Sequence, residues 1–266
     1  MMPDVKVSSV LVTGTTSGVG RALLEHYAKS GAKVIAVNRR RLAELESLYP
    51  SVRFECVDVG SADDVDRLVR GLAASAQLPE VFILNAGINR VDNDERFELS
   101  PFREVMDTNL HGVLNFVAPL TQLPASPSPR HVVAISSLVS YAGNPYGLGY
   151  QTSKKALTNC FEVWANMYAG TDLVFQQVML GPVRTGIYTM ADKLPAWIVR
   201  IKGLFSASPE STARAIARLA LTRRKKLIYP LPAFLPFFAA GILQRLVPGV
   251  LQGRRTLDGK RRRSVD

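Results

Sequence analysis

Val10-Leu11-Val12-Thr13-Gly14-Thr15-Thr16-Ser17-Gly18-Val19-Gly20 is where the reading of this chain begins. Val7 to Val12 is rich in β-branched and apolar residues and ends in Thr-Gly, the pattern of a strand covered on both faces. Gly14, Gly18 and Gly20 then crowd the junction with a helical segment, Gly18 to Lys29, that stops at Gly31. Such a turn leaves free N–H groups at the helix N-terminus and lets backbone come close to a pyrophosphate. Its spacing, Gly-x-x-x-Gly-x-Gly, departs from the general dinucleotide fingerprint Gly-x-Gly-x-x-Gly. On these residues alone, a glycine-rich turn without a ligand is the competing reading.

Working outward, strand and helix patterns alternate along the chain. Strands are expected at Lys33 to Val37, Val52 to Val57, Val81 to Leu84, His131 to Ile135, Leu173 to Val178 and Lys226 to Tyr229. Helices are expected over Arg41 to Leu48, Asp63 to Ala76, Pro101 to Val117, Gln151 to Tyr168 and Pro209 to Thr222. Pro119 to Arg130, with four prolines, reads as an exposed loop. This order predicts an α/β fold, a doubly wound parallel sheet of about seven strands with helices on both faces. The expected division is a dinucleotide-binding and catalytic domain over 1–230 and an apolar extension with a basic tail over 231–266.

Tyr150-Gln-Thr-Ser-Lys154 follows Ser137. Tyrosine and lysine one helical turn apart face the same cleft, and a nearby ammonium favours phenolate over phenol. Eight tyrosines make an accidental Tyr-x-x-x-Lys easy. The conjunction with the glycine turn, in this order, is what carries weight. It suits proton transfer to or from a carbonyl oxygen, with Ser137 bonding the substrate oxygen.

These features resemble the short-chain dehydrogenase/reductase family. The likeness comprises Thr-Gly-x-x-x-Gly-x-Gly at 13–20, Asn85-Ala86-Gly87, Asn109, Ser137 and Tyr150/Lys154, and spans roughly residues 5–230. It implies interconversion of a carbonyl and an alcohol by hydride transfer with a nicotinamide cofactor. The thirteen-residue gap to Tyr150 selects Ser137 over its neighbour Ser136. By the same resemblance Lys154 holds the nicotinamide ribose and Asn109 anchors a water leading to solvent. Cofactor contacts are expected from Gly14, Thr16, Ser17, Gly18, Val19 and Gly20, from Asp58 and Val59, and from Asn85, Ala86 and Gly87. Gly181, Val183 and Thr185 extend the set, although Leu180 stands where relatives carry proline. A homodimer or homotetramer is implied too.

After the second strand the chain reads Asn38-Arg39-Arg40-Arg41, where an acidic residue would favour NAD(H). Asn38 and Arg39 are the expected contacts, and the fork of Arg39 suits a 2′-phosphate, so NADP(H) is favoured. A cofactor-binding sensor or scaffold with little turnover is the alternative. The intact proton-transfer set argues against it.

Cys56 and Cys160 lie in a strand and a helix, and His26, His111 and His131 form no ligand-spaced cluster, so no metal site is expected. Residues 200–266 carry 15 basic and 3 acidic side chains, a balance of +12 against +11 for the whole chain. That asymmetry suggests contact with an anionic surface. Leu227 to Leu243 is uncharged, but Pro230, Pro232 and Pro236 argue against a continuous membrane span. A helix from near Pro236 to before Pro248 either covers the cleft or an interface, or lies on a membrane beside Arg254, Arg255, Lys260 and Arg261 to Arg263. Nucleic-acid binding is poorly supported. The N-terminus runs straight into the first strand, so a cytoplasmic protein is expected. The apolar segment 186–207 reads as a substrate lid and leans toward an apolar substrate.

Overall fold

The computed structural model describes residues 7–90, 97–141, 147–185, 206–235, 238, 239 and 242. Its strands are β1 (Ser9–Thr13), β2 (Lys33–Asn38), β3 (Arg53–Cys56), β4 (Val81–Leu84), β5 (Arg130–Ser137), β6 (Leu173–Leu180) and β7 (Lys226–Tyr229). They form one seven-stranded sheet in the order β3-β2-β1-β4-β5-β6-β7. All its pairings are parallel, with Val10 flanked by Val34 and Val81. The helices are α1 (Gly18–Lys29), α2 (Ala43–Leu48), α3 (Ala62–Ala74), α4 (Leu99–Met106), α5 (Gly112–Gln122), α6 (Leu148–Met167) and α7 (Pro209–Ala220).

Side chains alternate across a strand, so each central strand serves two cores. Val10, Val12, Ile83, Val133 and Val178 point to one face and meet Leu23, Leu24 and Tyr27 of α1 and Ile216 and Leu219 of α7. Leu11, Phe82, Val132 and Phe175 point to the other, against Val65 and Leu72 of α3, Phe116 and Leu120 of α5, and Leu157 and Phe161 of α6. Apolar residues at nearly every position of these strands are what two covered faces require. The chain order reverses between β1 and β4, which opens a crevice at the carboxyl ends of the strands.

The doubly wound sheet matches the sequence expectation, with three differences that bear on the site. The helix expected to begin at Pro101 starts at Leu99, and a π-helical turn, Asp107–His111, joins α4 to α5. Pro119, assigned to a loop, lies buried inside α5. Its missing N–H costs one helical bond, and burial of its ring with Phe116 and Leu120 keeps the helix running to Gln122. Helix α6 begins three residues earlier than expected, on Gly147 with φ of +75°, which puts Tyr150 in its first turn.

Candidate active site

Gly14 and Gly18 have φ of +69° and +58°, a region glycine enters without strain. The space around the turn is tighter still. A Cβ on Gly20 would lie 1.9 Å from the Gly14 carbonyl oxygen, and one on Gly14 would lie 2.9 Å from Ala86 Cα. Thr13 Oγ1 accepts from the N–H groups of Asn85 (3.0 Å) and Ala86 (2.9 Å). Asn85 Nδ2 donates back to the carbonyls of Thr13 (3.0 Å) and Gly14 (3.1 Å). The ends of β1 and β4 are thus clamped together, and the N-terminus of α1 opens beside them. Ser17, its N-cap, makes no side-chain capping bond.

This turn forms one wall of a cleft of about 530 Å³. Of the sequence-predicted residues, Gly14, Thr16, Ser17, Gly18, Val19, Gly20, Asn38, Arg39, Asp58, Val59, Asn85, Ala86 and Gly87 all line it. So do Ser137, Tyr150, Lys154, Gly181, Val183 and Thr185. Asn109 stands just behind the lining. Asn38 is closer to a structural pin than to a contact residue. Its Oδ1 accepts from the Thr15 N–H at 2.8 Å and its Nδ2 donates to Thr15 Oγ1 at 2.9 Å. Asp58 Oδ1 is likewise bonded to the Gly60 N–H at 2.9 Å. Arg39 is exposed at the cleft margin.

On the opposite wall, Lys154 is 4% exposed and donates to the Ile135 carbonyl at 2.8 Å. Its Nζ lies 5.7 Å from the centre of the Tyr150 ring. Burial pushes the ammonium down to about 8. A Cβ on Gly87 would lie 3.3 Å from Asn109 Oδ1 and 3.6 Å from Lys154 Nζ, so Gly87 sits against both side chains. The first-turn position of Tyr150 puts it near the positive end of the α6 dipole.

The two serines separate cleanly. Ser136 Oγ bonds the Lys154 carbonyl (3.1 Å) and Thr158 Oγ1 (2.7 Å), tying β5 to α6. Ser137 Oγ is held only by long bonds, to the Leu180 carbonyl and from the Val139 N–H, both at 3.3 Å. Ser137 is therefore the less tightly held of the two hydroxyls. Asn109 Nδ2 donates to the Ile88 carbonyl (2.9 Å) and Ser153 Oγ (3.1 Å), while its Oδ1 accepts from the Ile88 N–H (2.8 Å). Both amide protons are engaged, which leaves one acceptor position for the expected water. Sequence reasoning missed Thr15, Ser153 and Thr158. Hydroxyl residues are too common for type or spacing to single them out.

Among the described residues no group of three or more His, Cys, Asp or Glu could hold a metal ion. The lid expected over 186–207 lies outside the described residues apart from Ser206 and Ala207.

A doubly wound sheet with a glycine-lined cleft at its switch point, faced by serine, tyrosine and buried lysine, defines a dinucleotide-binding oxidoreductase class. The chain belongs within it to the short-chain dehydrogenase/reductase family: the family model for short chain dehydrogenase matches residues 8–194. It is 28% identical over 221 residues to a 3-oxoacyl-[acyl-carrier-protein] reductase of Thermotoga maritima, covering 79% of this chain and 89% of that protein. A short-chain dehydrogenase from Streptomyces avermitilis superposes with a TM-score of 0.75 at 25% identity, over 91% of this chain and 94% of that one. A short-chain dehydrogenase/reductase from Burkholderia phymatum, solved in complex with NAD, gives 0.76 at 19% identity, over 92% and 95%.

Proposed function

We propose that this chain is an NADP(H)-dependent enzyme that interconverts a carbonyl and an alcohol on an apolar substrate. The observation that carries the reading is one cleft holding the glycine turn on one wall and Ser137, Tyr150 and buried Lys154 on the other. The cleft suits a dinucleotide, because Gly14 and Gly20 let the β1–α1 turn pack tightly and bring the N-terminus of α1 to the cleft wall. A nicotinamide dinucleotide bound there supplies or accepts the hydride. Tyr150 gives its proton to the carbonyl oxygen in reduction and takes one in oxidation. Ser137 donates to that oxygen and stabilises its developing charge. Lys154 holds the ribose and favours the phenolate of Tyr150.

Arg39 at the adenosine end of the cleft, with Asn38 instead of an acid before it, supports NADP(H). The apolar substrate rests on the aliphatic and aromatic composition of residues 186–207. Exposed Leu148, Val163 and Met167 on α6 support a homodimer or homotetramer.

The test is turnover by the purified protein of carbonyls and alcohols, including long-chain, steroid-like and retinoid-like compounds, with each nicotinamide cofactor. NADPH binding without turnover on any of them overturns the enzyme reading in favour of a sensor or scaffold. Arg39→Asp should lower the kcat/KM ratio of NADPH over NADH by about 10- to 100-fold, the worth of a charge-assisted bond. An unchanged ratio removes Arg39 from the phosphate site.

A further inference from the structure

Beyond Tyr229 the chain turns back across the sheet. Leu231–Ala233 forms a short 3-10 turn, and Phe234, Leu235, Phe238, Ala239 and Ile242 are helical. Helical backbone is thus present before Pro236, where the sequence reading began it. The root of this segment is fastened to the carboxyl end of the sheet. Ala233 is 1% exposed, and a Cβ on Gly181 would sit 2.9 Å from its Cβ. Phe234 meets the Tyr141 ring edge-on at 5.5 Å and stacks on Phe238 at 5.3 Å. Beyond that root the exposure reverses. Leu231 is 65% exposed, Leu235 69%, Phe238 44% and Ile242 43%. The spacing of Leu235, Phe238 and Ile242 places them on one helix face, and Leu231 stands one turn before them.

The root therefore covers the end of the sheet beside Ser137, and the stripe beyond it is left uncovered. What the stripe meets is indicated by charge. Residues 227–244 contain no charged side chain, and residues 245–266 contain seven basic and two acidic ones. A second copy of this chain brings an equally basic tail, and the two would repel. An anionic lipid surface accepts both the apolar face and the basic segment, and two such signals together suffice for stable attachment where either alone is marginal. No helix among the described residues is long and apolar enough to cross a membrane, so this contact lies on the surface.

We propose that Leu231, Leu235, Phe238 and Ile242, reinforced by the basic segment that follows, dock this protein on an anionic membrane with the Ser137 end of its cleft beside the bilayer. The contact is independent of turnover and does not rest on the proposed reaction.

The experiment is sedimentation of the full-length protein with vesicles of phosphatidylcholine alone and of phosphatidylcholine with phosphatidylglycerol. Binding is expected to the anionic vesicles and should fall at least tenfold between low and high salt, since exposed charges are screened over about 10 Å at 0.1 M. The double variant Leu235→Asp/Phe238→Asp and the triple variant Arg261→Ala/Arg262→Ala/Arg263→Ala should each lose most of it. A cooperative thermal unfolding transition within a few degrees of wild type shows that both variants are folded. Three results overturn the proposal: no binding at low salt, equal binding by all three proteins, or a change of oligomeric state in the aspartate variant with vesicle binding intact. The last assigns the stripe to a second copy.

Discussion

At the amino ends of β5 and β6, Arg130 donates to Asp172 and to the Pro124 carbonyl, and the Ser126 N–H adds a bond to the same carboxylate. His131 bonds Gln176, whose amide is shared among the carbonyls of Leu219, Thr222 and Arg224. Burial works against the Asp172 carboxylate, yet Arg130 and the Ser126 N–H outweigh it and hold the group below its usual range. At the carboxyl ends of the same sheet, burial pushes the Lys154 ammonium down to about 8, and Ser137 has only its two long bonds. One end closes its polar groups on one another. The other leaves Ser137 loosely held and the Lys154 ammonium desolvated, at a cost in stability. That contrast is expected where a scaffold carries a site, because a hydroxyl or ammonium fully engaged with protein has little left for a substrate.

The largest expected effect tests the carboxyl end. Tyr150→Phe keeps the ring and removes the transferable proton. Its kcat should fall about 100- to 10,000-fold while cofactor affinity holds. Wild-type turnover on the best substrate would sink the proposed role.

The counterpart at the amino end is Asp172→Asn, which leaves the nearly buried Arg130 guanidinium without its counter-ion. Unfolding in urea should show a loss of about 3 kcal/mol, with kcat/KM per folded molecule unchanged. If activity fell in step with stability, the two ends would not be separable as described.

Lys154→Met sharpens the cost of the open end. A lysine whose folded value lies near 8 and whose unfolded value is 10.5 carries a penalty that is full below pH 8. Between about pH 8 and 10.5 the unfolded chain holds a proton that the folded one has released, so wild-type stability rises with pH. The variant should therefore be the more stable at pH 7, by at most about 3 kcal/mol, and the gap should close toward pH 10.5. A gap that is constant with pH would mean that Lys154 keeps its ordinary ionisation on folding. Turnover by this variant should be lost.

Most of the fold was legible because its signals are local. Helix α1 ends just before Gly31, and the limits of β4 and β7 match the expected strands Val81–Leu84 and Lys226–Tyr229. Pro119 was misread because its penalty is local and the burial that offsets it is not. The start of α6 was missed because its N-cap is a left-handed glycine, Gly147, and not a polar capping side chain.

The sequence by itself determined the alternation of strand and helix, the glycine turn, and the Ser/Tyr/Lys set, since each is written in residue types at short spacing. Only the tertiary structure decided that Ser136 is spent on Lys154 and Thr158, that the Asn38 amide is bonded to Thr15, and that Lys154 is buried enough to lose much of its basicity. It also decided that the chain beyond Tyr229 buries Ala233 and exposes Leu235. These outcomes depend on which partners a side chain meets across the sheet, at separations such as the 18 residues from Ser136 to the Lys154 carbonyl and the 23 from Thr15 to Asn38. Hydrogen bonding and desolvation act through space, and their partners are chosen only when the chain has closed on itself.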